Sequence, residues 1–182
     1  MKIIKLNAID STNSFLKELS RNSALENFTT VVTKQQTAGK GQMGSKWASE
    51  KHKNLTVSIF IKHKNRRITD QNYLNFAVCL AIFNLLLDKK VSQLSIKWPN
   101  DILSANKKIC GVLIENSVKN KQLHSSVIGI GLNVNQQVFS SDLLNATSIK
   151  NSINKETDLD KLLFLLFFLI KEPIVYLGQF PY

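Results

Sequence analysis

A short glycine-rich stretch, "AGKGQMGSKW", contains the residue types that bind phosphate groups. Gly39, Gly41 and Gly44 have the G-x-G-x-x-G spacing of a dinucleotide-binding turn, but the next segment has no helical stripe and runs into an alternating strand. The P-loop pattern also fails, because Ser45 precedes Lys46 where the lysine must come first. The stretch therefore predicts a cationic loop whose backbone can approach an anion closely. A plain β-hairpin with solvated lysines is the alternative.

A second chemically suggestive segment is "KWPNDIL", in which a lysine ends a strand-like run. Pro99 fixes the chain as it leaves the sheet, and Asn100 and Asp101 add polar groups there. An ammonium group aimed into a cleft can neutralise a carboxylate or a phosphate without blocking access. Lys97 is therefore a candidate catalytic residue, and a surface lysine beside a turn is the alternative.

Glycines inside apolar strands form the third signal. Gly129 and Gly131 interrupt "GIGLNVN", and Gly111 interrupts "KKICGVLIE". Because glycine weakens the interior of a strand, its presence indicates that a ligand or another backbone passes close by. Together with the strand-end lysine, these glycines are consistent with a narrow slot for a thin ligand that has an anionic end.

The elements that must position these residues follow from capping and periodicity. Strand-like segments arrive in runs rather than in alternation with helices, which favours an α+β fold with a mixed, mainly antiparallel β-sheet and helices packed on one side. A hairpin turn is predicted at "SANKK". Helices are predicted from a cap at residues 11–13 to about Asn22, from about Gln71 to Leu87, and from residue 157 or 158 to about Lys171, with Pro173 just beyond the end.

The charge of the chain is strongly positive and unevenly distributed. The net charge is +11 over 182 residues, and the segment from Lys34 to Arg67 holds nine Lys or Arg against the single acid Glu50. This basic segment surrounds the glycine loop and predicts an anionic partner, namely a nucleic acid, a nucleotide or an acidic protein.

Composition limits the other classes of function. Cys79 and Cys110 lie in apolar surroundings, and neither has a Cys or His at metal-ligand spacing, so a zinc site is not expected. The longest apolar run, Leu162 to Ile170, is far shorter than the roughly 20 residues of a membrane-spanning helix. The N-terminus has no secretory pattern, so we expect a cytoplasmic protein with no membrane partner.

Five segments in order and spacing make the sequence similar to a known family. They are "DSTN", "QTAGKGQMGSKWAS", "KWPNDI", "KKICGVLIE" and "GIGLNVN", and together they resemble the motifs of biotin protein ligases over roughly residues 3–170. The resemblance implies the biotin/lipoate ligase catalytic-domain fold at residues 1–170, followed by a tail at residues 171–182. It also implies a monofunctional type, since neither a DNA-binding domain nor the family's small C-terminal β-barrel is expected in this chain.

The resemblance further implies a two-step reaction. Biotin is activated by ATP as biotinoyl-5'-AMP with release of pyrophosphate, and a lysine of a biotin carboxyl carrier protein then takes the biotinoyl group. Mg²⁺ is expected with ATP, held mainly by phosphate oxygens and water, so no protein metal ligand is assigned. No DNA partner is expected, and the resemblance leaves formation of a homodimer open.

Roles for individual residues come from the same resemblance. Lys97 and Lys40 are the expected catalytic residues. The expected biotin-binding residues are Ser11, Thr12, Asn13, Gln36, Gly39, Lys40, Gly41, Gln42, Lys97, Gly111, Gly129 and Gly131. The expected nucleotide-binding residues are Lys40, Trp47, Lys97, Asn100 and Asn133.

The sequence departs from the family's pattern in two places and leaves three competing functions open. The family's loop is often arginine-rich, whereas this chain has Lys40, Gln42 and Met43, and Cys110 replaces the first glycine of a usual pair. A lipoate-protein ligase has the same fold and adenylation chemistry but needs no polar groups for a ureido ring. A basic nucleic-acid-binding module is a second competing function, and a protein that holds biotin without transferring it is a third.

Overall fold

The computed structural model describes residues 2–179, without the side chains of residues 65, 142, 178 and 179. In that part of the chain, nine strands and four α-helices follow in the order β1 (Ile3–Leu6), α1 (Thr12–Asn22), β2 (Thr30–Thr33), β3 (Gly39–Lys40), β4 (Lys46–Trp47), β5 (Leu55–Arg67), α2 (Gln71–Asp88), β6 (Leu94–Lys97), β7 (Asp101–Ser104), β8 (Lys107–Lys119), β9 (Gln122–Leu132), α3 (Ile149–Ile153) and α4 (Leu159–Gln179).

Seven of these strands form one sheet in the order β1-β2-β5-β9-β8-β7-β6, and β3 and β4 form a separate two-stranded ribbon. Only β1 and β2 are parallel in the large sheet, and every other neighbouring pair is antiparallel. The predicted α+β fold with a mixed, mainly antiparallel sheet is therefore confirmed. The predicted turn at "SANKK" joins β7 to β8, with positive φ angles of 49° at Ala105 and 61° at Asn106.

The main core lies between one face of the sheet and the two long helices. Val57, Ile59 and Ile61 of β5 alternate toward this face, where they join a cluster that contains Ile82 of α2 and Leu166 of α4. Alternation along a strand puts every second side chain on the same face, so the period-two pattern read in the sequence correctly predicted this packing.

The prediction that all helices pack on one side of the sheet is wrong for α1. Leu16 of α1 is fully buried against Val31, Phe60 and Val127, which belong to a second and smaller cluster. Phe60 and Val127 are on the opposite face from their neighbours Ile59 and Ile128, because successive strand residues point to opposite faces. The sheet is thus covered on both faces, and the start of α1 lies on the face away from α2 and α4.

The last helix is longer than predicted. Pro173 lies inside α4 and not beyond its end, and Ile174 remains 8% exposed within the main core. Proline removes one backbone donor, but burial of the following turn against the core outweighs that loss. The expected boundary at residue 170 therefore falls within a helix, and the end of the expected tail, residues 180–182, lies outside the described residues. None of the described helices is long and apolar enough to cross a membrane.

Candidate active site

A cavity of about 330 Å³ opens beside the start of α1. Its walls come from five parts of the chain: the first residues of α1, the segment from Gln36 through the β3–β4 ribbon, Thr56 of β5, the β6–β7 turn, and the adjacent stretches 111–113 of β8 and 129–131 of β9. All of these except Thr56 belong to the segments that carried the sequence motifs. These segments meet because β9 lies between β5 and β8 in the sheet and pairs with both strands.

The start of α1 forms the polar wall. Ser11 is the N-cap residue, and its hydroxyl accepts from the backbone N–H of Ser14. Thr12 donates its backbone N–H to Oε1 of Gln36 at 2.8 Å, and Asn13 donates from Nδ2 to Oε2 of Glu115 at 2.9 Å. Ser11, Thr12, Asn13 and Gln36 all line the cavity, and the first three are buried.

The glycine loop forms the rim. Gly39 and Lys40 pair with Trp47 and Lys46 in the β3–β4 ribbon, so the loop is held as a short hairpin. Nζ of Lys40 donates to Oγ of Ser14 at 2.8 Å, which ties the ribbon to α1. Lys40, Gly41, Gln42 and Trp47 line the cavity, whereas Gly39 does not. The hairpin alternative was therefore right about the loop's shape, and the loop also borders a cavity.

The indole of Trp47 packs closely against the strand glycines Gly111 and Gly131. A Cβ atom on Gly131 would be 2.2 Å from the ring, and one on Gly111 would be 3.1 Å from it. Nζ of Lys108 stands 5.7 Å from the ring centroid. Among the described residues nothing pairs with the buried Nε1 of Trp47, so this donor is available to a ligand. The glycine positions thus make room for Trp47, and their predicted contact with a biotin tail stays a prediction.

Lys97 lies at the end of β6, opposite Asp101 in the register of β7. It lines the same cavity as Lys40 and Asn100. Positive charge predominates among the described lining residues. Asp101 is the acid among them, and the lysines are Lys40, Lys46, Lys97 and Lys108. The lysine of the "KWPND" segment and the glycine loop therefore converge on one space, as the proposed chemistry requires. A negative ligand would be attracted to this space.

Asn133 is not brought to the cavity wall. Its side chain is 4% exposed and donates from Nδ2 to the backbone carbonyl of Thr147 at 3.0 Å. Its backbone N–H donates to Ile109. The predicted contact of Asn133 with a nucleotide stays a prediction.

Three site residues were missed in the sequence. Lys108 lines the cavity and forms an ion pair with Asp101 at 2.6 Å, and Ser58 and Glu115 bind the polar wall from behind. Ser58 could have been found as a polar residue on the alternating strand "NLTVSIFIK". Lys108 and Glu115 belong to the segment "KKICGVLIE", where only Cys110 and Gly111 were considered individually.

The cavity's own side chains do not form a metal cage. Within residues 2–179, with the side chains that the structure includes, no group of three or more His, Cys, Asp or Glu could hold a metal ion. Asp101 is engaged by Lys108.

Neither cysteine is suited to be a nucleophile. Cys79 and Cys110 are both buried free thiols. Burial raises the pKa of Cys79 to about 11, with the negative charge of Asp101 as a further cause. Burial also raises the pKa of Cys110 well above its usual value. Both thiols stay protonated at neutral pH, as expected for core residues.

Comparison with known proteins agrees with the geometry. Residues 6–133 match the Biotin/lipoate A/B protein ligase family. The bifunctional ligase/repressor BirA of Bacillus subtilis is 33% identical over 159 residues, covering 86% of this chain and 48% of that protein. The biotin--[acetyl-CoA-carboxylase] ligase of Mycobacterium tuberculosis is 28% identical over 129 residues, covering 69% of this chain and 47% of that protein.

The fold has solved relatives as well. The biotin protein ligase from Aquifex aeolicus in complex with biotin and ATP superposes with a TM-score of 0.82 and 28% identity, covering 98% of this chain and 72% of that one. The chain spans about half the length of the two curated relatives, BirA and the mycobacterial ligase. Since the family match extends over more than half of the chain and includes the residues that build the cavity, this chain belongs to the Biotin/lipoate A/B protein ligase family.

Proposed function

We propose that this protein is an ATP-dependent biotin ligase, which activates biotin as biotinoyl-5'-AMP and transfers it to a lysine of a biotin carboxyl carrier protein. The observation that carries the proposal is the convergence of Lys97 and the Lys40 loop on one cavity with a buried polar wall. Relatives described as biotin ligases, and the related structure that holds biotin and ATP, support it.

In the first step the biotin carboxylate attacks the α-phosphorus of ATP. The new bond joins the carboxylate oxygen to phosphorus, and the bond from the α-phosphorus to the bridging oxygen breaks, so that pyrophosphate leaves with its electron pair. Both reactants are anions, so their mutual repulsion is the main obstacle. Lys97 and Lys40 supply positive charge at the meeting point, and preorganised charge of this kind accelerates reactions strongly.

The metal ion in this proposal belongs to the nucleotide. Mg²⁺ neutralises phosphate charge when it is bound with ATP. Because the described side chains form no cage for it, we assign no protein ligand. The chain's own contribution is then to orient the two anions and to keep water away from the mixed anhydride.

In the second step the neutral amine of a carrier lysine attacks the acyl carbon. The carbon–oxygen bond to AMP breaks, AMP leaves, and the ammonium proton is lost as the amide forms. The exposed glycine loop borders the cavity, and a carrier lysine that enters beside this loop would reach the anhydride. The strands of the hairpin are anchored, but glycine torsions at Gly41 and Gly44 let its tip change position and shield the intermediate between the steps.

The polar wall distinguishes biotin from lipoate. Thr12, Asn13 and Gln36 form a hydrogen-bonded group that lines the cavity, and the neutral ureido ring of biotin has both donors and acceptors to match it. The dithiolane ring of lipoate has none. The carrier partner and a cytoplasmic location remain predictions from the sequence, and formation of a homodimer remains open.

Mass spectrometry of an acceptor tests the proposal. The protein is incubated with ATP, Mg²⁺, a biotin carboxyl carrier domain, and either biotin or lipoic acid. We expect the carrier to gain the mass of one biotinoyl group and to remain unchanged with lipoic acid. A carrier variant with arginine at the acceptor lysine is the control. Preferential labelling by lipoic acid, or binding of biotin with no adenylate and no labelling, would contradict the proposal.

A further inference from the structure

The polar wall of the cavity is one part of a longer hydrogen-bonded chain that begins behind it. Glu115 of β8 does not line the cavity, yet its carboxylate contacts two residues of α1. Oε2 accepts from Nδ2 of Asn13 at 2.9 Å, and Oε1 accepts from Nζ of Lys17 at 2.6 Å. From Asn13 the chain continues to Ser58 at 2.6 Å and then to Thr12 at 2.8 Å.

Glu115 determines which way the amide of Asn13 faces. Both hydrogens of Nδ2 are used, one on Glu115 and the other on the backbone carbonyl of Leu113 at 3.3 Å. A flipped amide would place its oxygen against a carboxylate and a carbonyl, and neither of those can donate. Although burial alone raises the pKa of Glu115, hydrogen bonds from Lys17 and Asn13 and the charges of Lys17 and Lys40 outweigh it and lower this pKa. The carboxylate is therefore ionised and accepts only.

The direction of the remaining bonds follows from counting protons. Oδ1 of Asn13 cannot donate, so Ser58 must give its single hydroxyl proton to it. The hydroxyl of Thr12 contacts Ser58 at 2.8 Å and Oε1 of Gln36 at 3.0 Å, and in both places its own proton is the one available. Whichever neighbour receives that proton, Thr12 keeps none for a ligand.

We infer that Glu115 is a positioning residue for ligand recognition, which acts through Asn13 and Ser58 to make the Thr12 hydroxyl a pure hydrogen-bond acceptor toward the cavity. Thr12 lines the cavity, and a lone pair that Ser58 and Gln36 leave unfilled can accept from a ligand there. The ligand that matches this wall has an N–H group, as a cyclic urea does. This inference rests on the proposed function and adds the origin of its preference for a ureido ring.

Close packing supports the same arrangement. A Cβ atom on Gly129 would lie 2.3 Å from Oδ1 and 3.0 Å from Nδ2 of Asn13. The amide of Asn13 therefore occupies the space that glycine leaves on β9. Gly129 permits the contact between α1 and the sheet, and Glu115 then determines which end of the Asn13 amide donates there.

Replacement of Glu115 by glutamine keeps the shape but removes the constraint. A glutamine amide can donate as well as accept, so only the longer contact with the Leu113 carbonyl still opposes a flip of Asn13 that would let it donate to Ser58. Ser58 would then donate to Thr12 and fill one of its lone pairs. Lys17→Met is the matched control, assayed at about pH 8: it removes the ion pair with Glu115, and at a pH so far above the ordinary carboxyl pKa of about 4.3 the partly exposed carboxylate still accepts from Asn13.

Calorimetric titration with biotin and steady-state adenylation kinetics test the inference on the 182-residue chain. We expect Glu115→Gln to raise the Kd and KM for biotin about fivefold to tenfold, the effect of one buried hydrogen bond, with kcat within about threefold of the parent. Lys17→Met should stay within about twofold of the parent in both constants. Thermal melts of both variants check folding.

Two results would overturn the inference while leaving the proposed function intact: unchanged biotin affinity in Glu115→Gln, or equal weakening in Lys17→Met, which would mean that only the ion pair matters. If the parent chain does not bind biotin, the proposed function fails and the inference fails with it.

Discussion

The indole of Trp47 occupies the space where a side chain on Gly131 would lie, since a Cβ atom there would be 2.2 Å from Cε2 of the indole. The glycine of β9 thus serves the packing of a side chain that comes from the glycine loop. This contact anchors the loop on the sheet, together with the β3–β4 pairing and the hydrogen bond from Lys40 to Ser14.

Gly131→Ala should therefore displace the indole. Non-bonded carbon atoms do not approach within 2.2 Å, so the ring must leave the cavity wall. We expect the free energy of unfolding to fall by about 1–3 kcal/mol. In a Trp47→Ala background the same change should cost less than about 0.5 kcal/mol, because the clash is gone. Urea denaturation of the four proteins of this cycle measures the coupling. Equal costs in the two backgrounds would show that the residues do not compete for space.

Lys97→Ala should slow adenylate formation by at least about a hundredfold, the scale of one preorganised electrostatic contact. The measurement is pyrophosphate release with biotin and ATP. Lys107→Ala is the matched control: Lys107 is an exposed lysine at the start of β8 that does not line the cavity, so this variant should keep the parent rate. Undiminished release in Lys97→Ala would remove Lys97 from the mechanism.

The stability of the fold should fall between about pH 6.5 and pH 4 because of His63. Burial, then the charge of Arg66 and then that of His124, lower the pKa of His63 to about 4 in the folded chain. The unfolded chain binds a proton near the ordinary pKa of about 6.5, and the folded chain does not until the pH is lower. Acid therefore favours unfolding across this window, by at most about 1.4 kcal/mol per pH unit, and partial exposure of the ring reduces that value.

His63→Gln should flatten the pH dependence of the free energy of unfolding above about pH 4.5. Glu115 acts at lower pH than His63. The stability that its lowered pKa contributes is complete above the ordinary carboxyl pKa and is lost only as the pH falls below that ordinary pKa. Denaturant titrations of the parent and the variant at several pH values measure this. Parallel curves from about pH 7 to about pH 5 would contradict the assignment to His63.

Both thiols should resist modification in the folded chain. At about pH 8 a pKa of about 11 leaves roughly one Cys79 thiolate in a thousand, and Cys110 is fully buried with a raised pKa. We expect Ellman's reagent to react at least about a hundredfold faster in guanidinium, where both thiols of the chain should react. Rapid reaction of one thiol without denaturant would show that its part of the core opens.

Local patterns in the sequence predicted much of the fold. The bounds of α1 and α2 follow from Ser11 at a cap and from apolar residues at helical spacing, and both agree with the structure within a residue or two. The strands β1 and β7 were not predicted, because neither "IIKL" nor "DILS" alternates between apolar and polar residues as "LSIK" of β6 does. The end of α4 was placed too early, because proline is a strong local signal that burial of Ile174 overrides.

The sequence by itself determined which residue types could handle two anions, since "KWPND" and the glycine loop are local patterns whose chemistry can be read directly. Only the tertiary structure decided what stands next to them. Glu115 and Asn13 are 102 residues apart in the chain, and Ser58 and Asn13 are 45 apart. They meet because β5, β9 and β8 are neighbours in one register, and the pairing of distant strands depends on the packing of the whole sheet rather than on any local pattern.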